Sequence, residues 1–173
     1  MNFSIRAIIR GLVAPRHRLS CSTKLWKLGL AELARRGKGY HESGAFLLGT
    51  ERNGRRRITR FAYYDDLDPH CLDSGIVIFD GAAYSQLWAL CRETGLSVVA
   101  DVHTHGCRAR QSPDDRDNPM IAQRGHVGII VPRFAQGYAR CSELGIYEYL
   151  GQHTWRDMSG QRADKYFYVG VWG

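Results

Sequence analysis

Apolar and polar positions along the chain follow two periods, and the switches between them predict its elements. From Thr23 to about Arg36, Trp26, Leu30, Leu33 and Ala34 recur at i, i+4, i+7 and i+8, the spacing of one helix face. Ser22 or Thr23 can cap this helix, and Gly37 stops it. A second helix is expected from its cap Asp80 to about Thr94, with Tyr84, Leu87, Trp88 and Cys91 on one side and Gly95 as C-terminal stop. Elsewhere the period falls to two. Ala45 to Glu51 reads as a strand, and Asn53-Gly54 as a type I′ hairpin turn, because both residues tolerate positive φ. The return strand runs from Arg56 to about Tyr64, with Ile58 alternating with charged neighbours.

Further strands are expected at Gly75–Phe79, from Leu96 onward, at Val127–Val131 (ended by Pro132), at Ile146–Leu150 and at Tyr166–Trp172. The last two are separated by a polar turn around Asp157–Gly160. Residues 3–14 alternate loosely and suggest a first strand ended by Pro15, while Asn118-Pro119 opens a short helix to Gln123. Asp65, Asp66 and Asp68 read as a solvated turn before Pro69. No repeat or linker interrupts the pattern. It predicts one α/β domain over residues 1–173, a mixed sheet flanked by two main helices.

Composition narrows the class. At 173 residues the chain can bury a substantial core, and its 44% hydrophobic and 24% charged content is that of a globular protein. No apolar run approaches the ~20 residues of a membrane span, so no membrane association is expected. The N-terminus is rich in arginine, but Arg6 and Arg10 interrupt its apolar runs too closely for a secretory segment, and it reads as part of the domain. Five scattered cysteines without a C-x-x-C fit free thiols in a reducing, cytoplasmic compartment. The net charge of +7 gathers at Arg35-Arg36, Arg55-Arg56-Arg57 and Arg108/Arg110. Such a surface attracts an acidic partner, attracts nucleic acid, or is simply solvated.

The chemistry concentrates between Asp101 and Asp117. On a regular strand Val98, Ala100 and Val102 point one way, and Asp101, His103 and His105 the other. Two imidazoles on one face of a strand end can chelate one ion, and Asp114, Asp115 or Asp117 from the next loop can supply a third ligand. Three N/O ligands with an open fourth position is the pattern of a catalytic zinc site. Asp101 either orients an imidazole from behind or serves as a hydrogen-bonded structural carboxylate. Cys107, two residues past His105, reads as a loop thiol rather than an inhibitory ligand.

The combination of Glu42 before Gly44-x-x-Leu47-Leu48-Gly49, then His103-x-His105, then Ser112-x-x-Asp115 resembles the JAMM/MPN-plus (JAB-like) zinc metalloproteases, in their prokaryotic, deubiquitinase-like branch. The resemblance covers about Glu42 to Pro132. It departs from the family in a loop one residue shorter between His105 and Ser112, and in Gly106 where proline is usual; that glycine is expected to relieve the trim through positive φ. The shorter loop leaves Asp114 and Asp115 as alternatives, and the intact Ser-x-x-Asp spacing favours Asp115.

The resemblance implies an MPN-like (cytidine-deaminase-like) fold and one zinc ion per chain on His103, His105 and Asp115. It implies Glu42 as general base and Ser112 as donor to the oxyanion. It further implies cleavage after the C-terminal tail of a ubiquitin-like protein, from conjugates or a precursor, with that protein and its E1/E2-like enzymes as partners. By analogy such a compact enzyme serves a bacterial ubiquitin-like conjugation or antiviral-defence system. Trimming of a sulfur-carrier protein, a non-catalytic MPN scaffold and a basic nucleic-acid-binding module are the alternatives. The last shows no nucleic-acid motif and leaves the Glu/His/His/Ser/Asp set unexplained.

Overall fold

The structure, a computed structural model, describes residues 17–171 and 173. The strand expected over 3–14 and the end of the last strand at Trp172 lie outside the described residues. The described residues open with β1 (Leu19–Ser22) and α1 (Thr23–Arg36). Ser22 is the N-cap, accepting from the Leu25 N–H, and Gly37 is the C-cap, as the pattern predicts. Trp26, Leu30 and Leu33 are buried on the expected face.

The hairpin β2 (Gly44–Arg52) and β3 (Arg55–Tyr63) turns at Asn53 and Gly54, whose φ of 53° and 70° are those of a type I′ turn. A single helical turn, α2 (Tyr64–Leu67), leads to the acidic bend. There Asp65 and Asp66 pair with Arg36, so the cluster is tied to α1 rather than merely solvated.

Residues 75–79 form no strand. The alternation is real, since Val77 and Phe79 pack inward while Ile76 and Ile78 are exposed, but no neighbouring strand offers a hydrogen-bonding edge. Asp80 accepts from the Ala82 N–H, opening a 3₁₀ turn into α3 (Tyr84–Thr94), which ends on left-handed Gly95. On its expected apolar face only Leu87 is fully buried; Trp88 lies at the margin, 42% exposed.

The remaining elements are β4 (Ser97–Thr104), α4 (Pro113–Asp117), β5 (Val127–Val131), β6 (Gly145–Gly151), β7 (Thr154–Asp157), α5 (Ala163–Tyr166) and β8 (Phe167–Gly170). The short helix expected at Asn118–Gln123 sits instead at Pro113–Asp117. Ser112 and Pro113 already supply a cap and a first helical residue there, and the turn ends at Asn118. Two short strands, β1 and β7, lack enough alternation to read in advance.

All eight strands join one mixed, curled sheet in the order β7-β6-β5-β4-β2-β3-β1-β8. The central β4 pairs antiparallel with β2 and parallel with β5. One face packs on α1, with Trp26, Leu30 and Leu33 against Ala45, Leu47, Ala100, Val102 and Ile129. The other packs on α3, with Leu87 against Phe46, Leu48 and Val98.

That division corrects one expectation. Val98 does not share a face with Ala100, because the β2–β4 register shifts between Leu47 and Leu48. Leu47 pairs with Ala100 and Leu48 with Val98, so Val99 is the extra residue of a bulge and the alternation inverts there.

Candidate metal centre

Beyond the bulge, β4 is regular, and Asp101 and His103 face away from α1. His103 stands between Gly44 of β2 and Ile130 of β5, a central position held by ladders on both sides. His105 lies just past the end of β4 yet is equally fixed. Its N–H donates to the Val131 carbonyl (2.9 Å), and its carbonyl accepts from the Phe134 N–H (2.9 Å). Phe134 belongs to a left-handed turn in which Arg133, Phe134 and Ala135 have φ of 58°, 49° and 57°. Three consecutive non-glycine residues in that region are strained and persist only where their surroundings hold them.

Phe134's ring also explains Gly106. The φ of Gly106 is not positive, so the expected reason for a glycine there is incorrect. A Cβ on Gly106 would meet that ring at 2.7 Å. Space, not backbone freedom, requires the glycine.

The third arm comes from α4. Ser112 Oγ accepts from the Asp115 N–H (3.1 Å), while Asp115 Oδ2 accepts from the Ser112 N–H (2.6 Å). This capping box locks the Asp115 carboxylate. The Ser-x-x-Asp spacing is therefore a local folding signal. Asp115, not Asp114, reaches the histidines; Asp114 is exposed at the rim.

His103 Nε2 and His105 Nε2 are 3.0 Å apart, and Asp115 lies 3.2 Å from the first and 3.4 Å from the second. A tetrahedral ion with bonds of roughly 2.0–2.1 Å sets its ligand atoms about 3.3 Å apart. The triangle has the size a small divalent cation requires.

Electrostatics suit the same purpose. Burial pushes the Asp115 carboxyl up, but hydrogen bonds from His103 and His105 prevail and hold it far below the usual carboxylate range. Burial opposes charge on His103, yet Asp115, with Asp101 and Glu42 nearby, raises that imidazole above its ordinary value.

Glu42 is brought to the rim of this triangle, its Oε1 3.7 Å from His105 Nε2. The Glu42 N–H donates to the Gly75 carbonyl, and next to it Ser43 is clamped to the end of β4. The Ser43 N–H donates to Thr104 Oγ1 (3.0 Å), and the Thr104 N–H to the Ser43 carbonyl (2.9 Å). Four of the sequence-predicted site residues thus converge, Glu42, His103, His105 and Asp115, and Ser112 is tied to them through its capping box with Asp115.

Asp101 is resolved in favour of structure. Its Oδ1 is 2.6 Å from His126 Nε2, and its Oδ2 accepts from the Tyr64 hydroxyl (3.3 Å). Cys107 is exposed, outside the triangle, and all five thiols are free.

A cavity of about 460 Å³ opens from the triangle across the sheet face. Sequence reasoning missed its walls, which come from distant segments: Ile76–Phe79, Tyr64, Tyr84, Met120 and Trp155, with Asp101 and Gly128 along the sheet. No local signal announces them. Its charged lining is Glu42, Asp101, Asp114 and Asp115 with His103, and no lysine or arginine, although the protein carries a net charge of +7.

No helix among the described residues is long and apolar enough to cross a membrane. No protein-family model matches the chain. Among solved structures, the chain is similar to a protein of Desulfitobacterium hafniense. That match has a TM-score of 0.61 and 17% identity over 88% of this chain and 94% of the other. A protein of Salinibacter ruber is also similar, with a TM-score of 0.52 and 20% identity over 79% and 86% of the two chains. At these identities both likenesses speak for the fold alone: a single mixed α/β sheet domain.

Proposed function

We propose that the protein is a zinc-dependent peptidase of the JAMM/MPN-plus type. Its substrate is the amide or isopeptide bond that follows the extended C-terminal tail of a ubiquitin-like protein, in a cytoplasmic conjugation or defence system. The observation that carries this reading is the 3.0–3.4 Å triangle of His103, His105 and Asp115 with the Glu42 carboxylate beside it. The cleft, lined by four carboxylates and no lysine or arginine, favours a peptide over a nucleic acid, whose phosphates those carboxylates would repel.

Zinc, which His103, His105 and Asp115 would hold, would polarise the scissile carbonyl and make water easier to deprotonate at neutral pH. The chain's own groups do the rest. Glu42 takes a proton from the attacking water as its oxygen bonds to the carbonyl carbon, then delivers that proton to the leaving nitrogen as the C–N bond breaks. Ser112 Oγ accepts from the Asp115 backbone and keeps its own proton to donate to the developing oxyanion. Strand ends beside the site suit an extended tail, paired by main-chain hydrogen bonds.

The test combines metal analysis with cleavage. Protein purified without chelator is expected to carry about one zinc per chain. It should cut a fusion directly after the ubiquitin-like C-terminus, with activity lost to chelator. Glu42→Gln should retain the metal while turnover falls by ~10² or more. Parent-like turnover in Glu42→Gln, or an intact fusion with zinc-loaded enzyme, overturns the reading.

A further inference from the structure

Asp101 and His126 form a polar pair that the proposed reaction does not use. Both are buried, 3% and 6% exposed, and the Tyr64 hydroxyl completes the set. Burying a carboxylate costs several kcal/mol unless its lone pairs are satisfied, and here one donor on each oxygen meets part of that demand. Each oxygen keeps further acceptor capacity, and Asp101 lines the cavity beside His103.

Gly128, paired with Asp101 across the β4–β5 ladder, lines the same space. A Cβ there would lie 3.8 Å from Asp101 Oδ1 and 3.9 Å from the Trp155 ring. The missing side chain leaves room between the carboxylate and the indole. Tyr84 and Met120 add apolar wall, and Asp114 adds a second carboxylate at the mouth. The cavity therefore has a carboxylate floor held rigid by His126 and Tyr64, aromatic sides and no lysine or arginine.

We propose that this cavity is a subsite for a cationic side chain, a guanidinium or ammonium on an aliphatic stem. Asp101 receives the charged end at the floor, while Trp155 and Tyr84 flank the stem. A guanidinium fits best, because its fork of donors matches a carboxylate whose position is already set. That the side chain belongs to a residue next to the scissile bond rests on the peptidase reading, since Glu42, His103 and Asp115 line the same cavity. Cation binding itself does not depend on it.

The experiment is a nuclear magnetic resonance titration of the zinc-loaded full chain with N-acetyl-arginine amide, its neutral isostere N-acetyl-citrulline amide, and N-acetyl-leucine amide. The readouts are the Gly128 amide and the Trp155 indole signals. The arginine compound is expected to shift both signals saturably, at least about ten-fold more tightly than citrulline or leucine, the worth of one charge-assisted hydrogen bond. Asp101→Asn should erase that preference with zinc content unchanged.

Gly128→Ala guards against a folding failure in Asp101→Asn, because its methyl meets only ordinary van der Waals contacts. It should fold normally and weaken arginine binding several-fold. Equal binding of leucine or citrulline, an unchanged affinity in Gly128→Ala, or shifts confined to other surfaces overturns the subsite. Arginine selectivity in a protein that cleaves no fusion would sink the peptidase reading and leave the subsite standing. Cleavage indifferent to the flanking residue would overturn the placement of that side chain next to the scissile bond.

Discussion

The two faces of β4 and β5 carry opposite kinds of side chain. Toward α1, Ala100, Val102, Val127, Ile129 and Val131 are buried under the aromatic and leucine side chains of a 14-residue helix. Toward the opposite side, the same strands present Asp101, His103, Gly128 and Ile130 to a cavity of about 460 Å³. That side is roofed only in part, by an 11-residue helix with one fully buried side chain, Leu87. A strand with period two can carry a dry core on one face and chemistry on the other. The packed face supplies the rigidity, so the polar face can hold ligands whose own contacts add little to stability.

The largest effects should separate the faces. His103→Ala/His105→Ala is expected to abolish metal binding and activity, while thermal unfolding of the metal-free protein shifts little. Ile129→Ala, on the same two strands but facing α1, should cost ~2–5 kcal/mol in denaturant unfolding and leave one metal per folded chain. Full metal occupancy in the histidine double variant, or a metal-free Ile129→Ala protein that is still folded, would erase the distinction.

Ser112→Ala probes a helix cap that is also the proposed oxyanion donor. Loss of the oxyanion donor should lower turnover by ~10²–10³. Loss of the cap should cost ~1 kcal/mol and loosen metal binding, because Asp115 is no longer locked. A rate loss with wholly unchanged metal affinity would show that the capping box does not hold the ligand.

A smaller effect is expected at Gly106. Gly106→Ala forces the Phe134 ring to move and should weaken metal affinity several-fold through His105. The double variant Gly106→Ala/Phe134→Gly, which removes the ring and relieves the left-handed strain, should recover it; an additive loss would refute the steric account.

The smallest effect lies outside both faces, on α1. The Glu32 carboxyl is lowered to about 2, through the hydrogen bond from Arg35 first, opposed by burial and reinforced by Arg36. Its depressed value means its contribution is present above the ordinary carboxylate range and is lost as pH falls toward 2. Glu32→Gln should cost no more than ~1 kcal/mol at neutral pH, and the difference should vanish in acid. A difference that grows below pH 4 would reverse the sign.

The sequence by itself determined the helices α1 and α3, the Asn53-Gly54 hairpin, the central strands and the grouping of Glu42, His103, His105 and Asp115. These rest on local causes: a 3.6- or two-residue period, a cap, a turn that demands positive φ, and ligand spacing along one strand and one capping box. Asp115 prevailed over Asp114 by the same local logic. Only the tertiary structure decided the bulge at Val99, which depends on how β2 registers against β4. It also decided the place of Phe134 over Gly106, the pairing of Asp101 with His126 and Tyr64, and the cavity walls from five separate segments. Those contacts join residues tens of positions apart, and no spacing in the chain encodes them. They arise when the sheet curls and brings separate loops over one face. A cluster of histidines and a carboxylate can be written into a short motif, whereas the cavity beside it is a property of the assembled sheet.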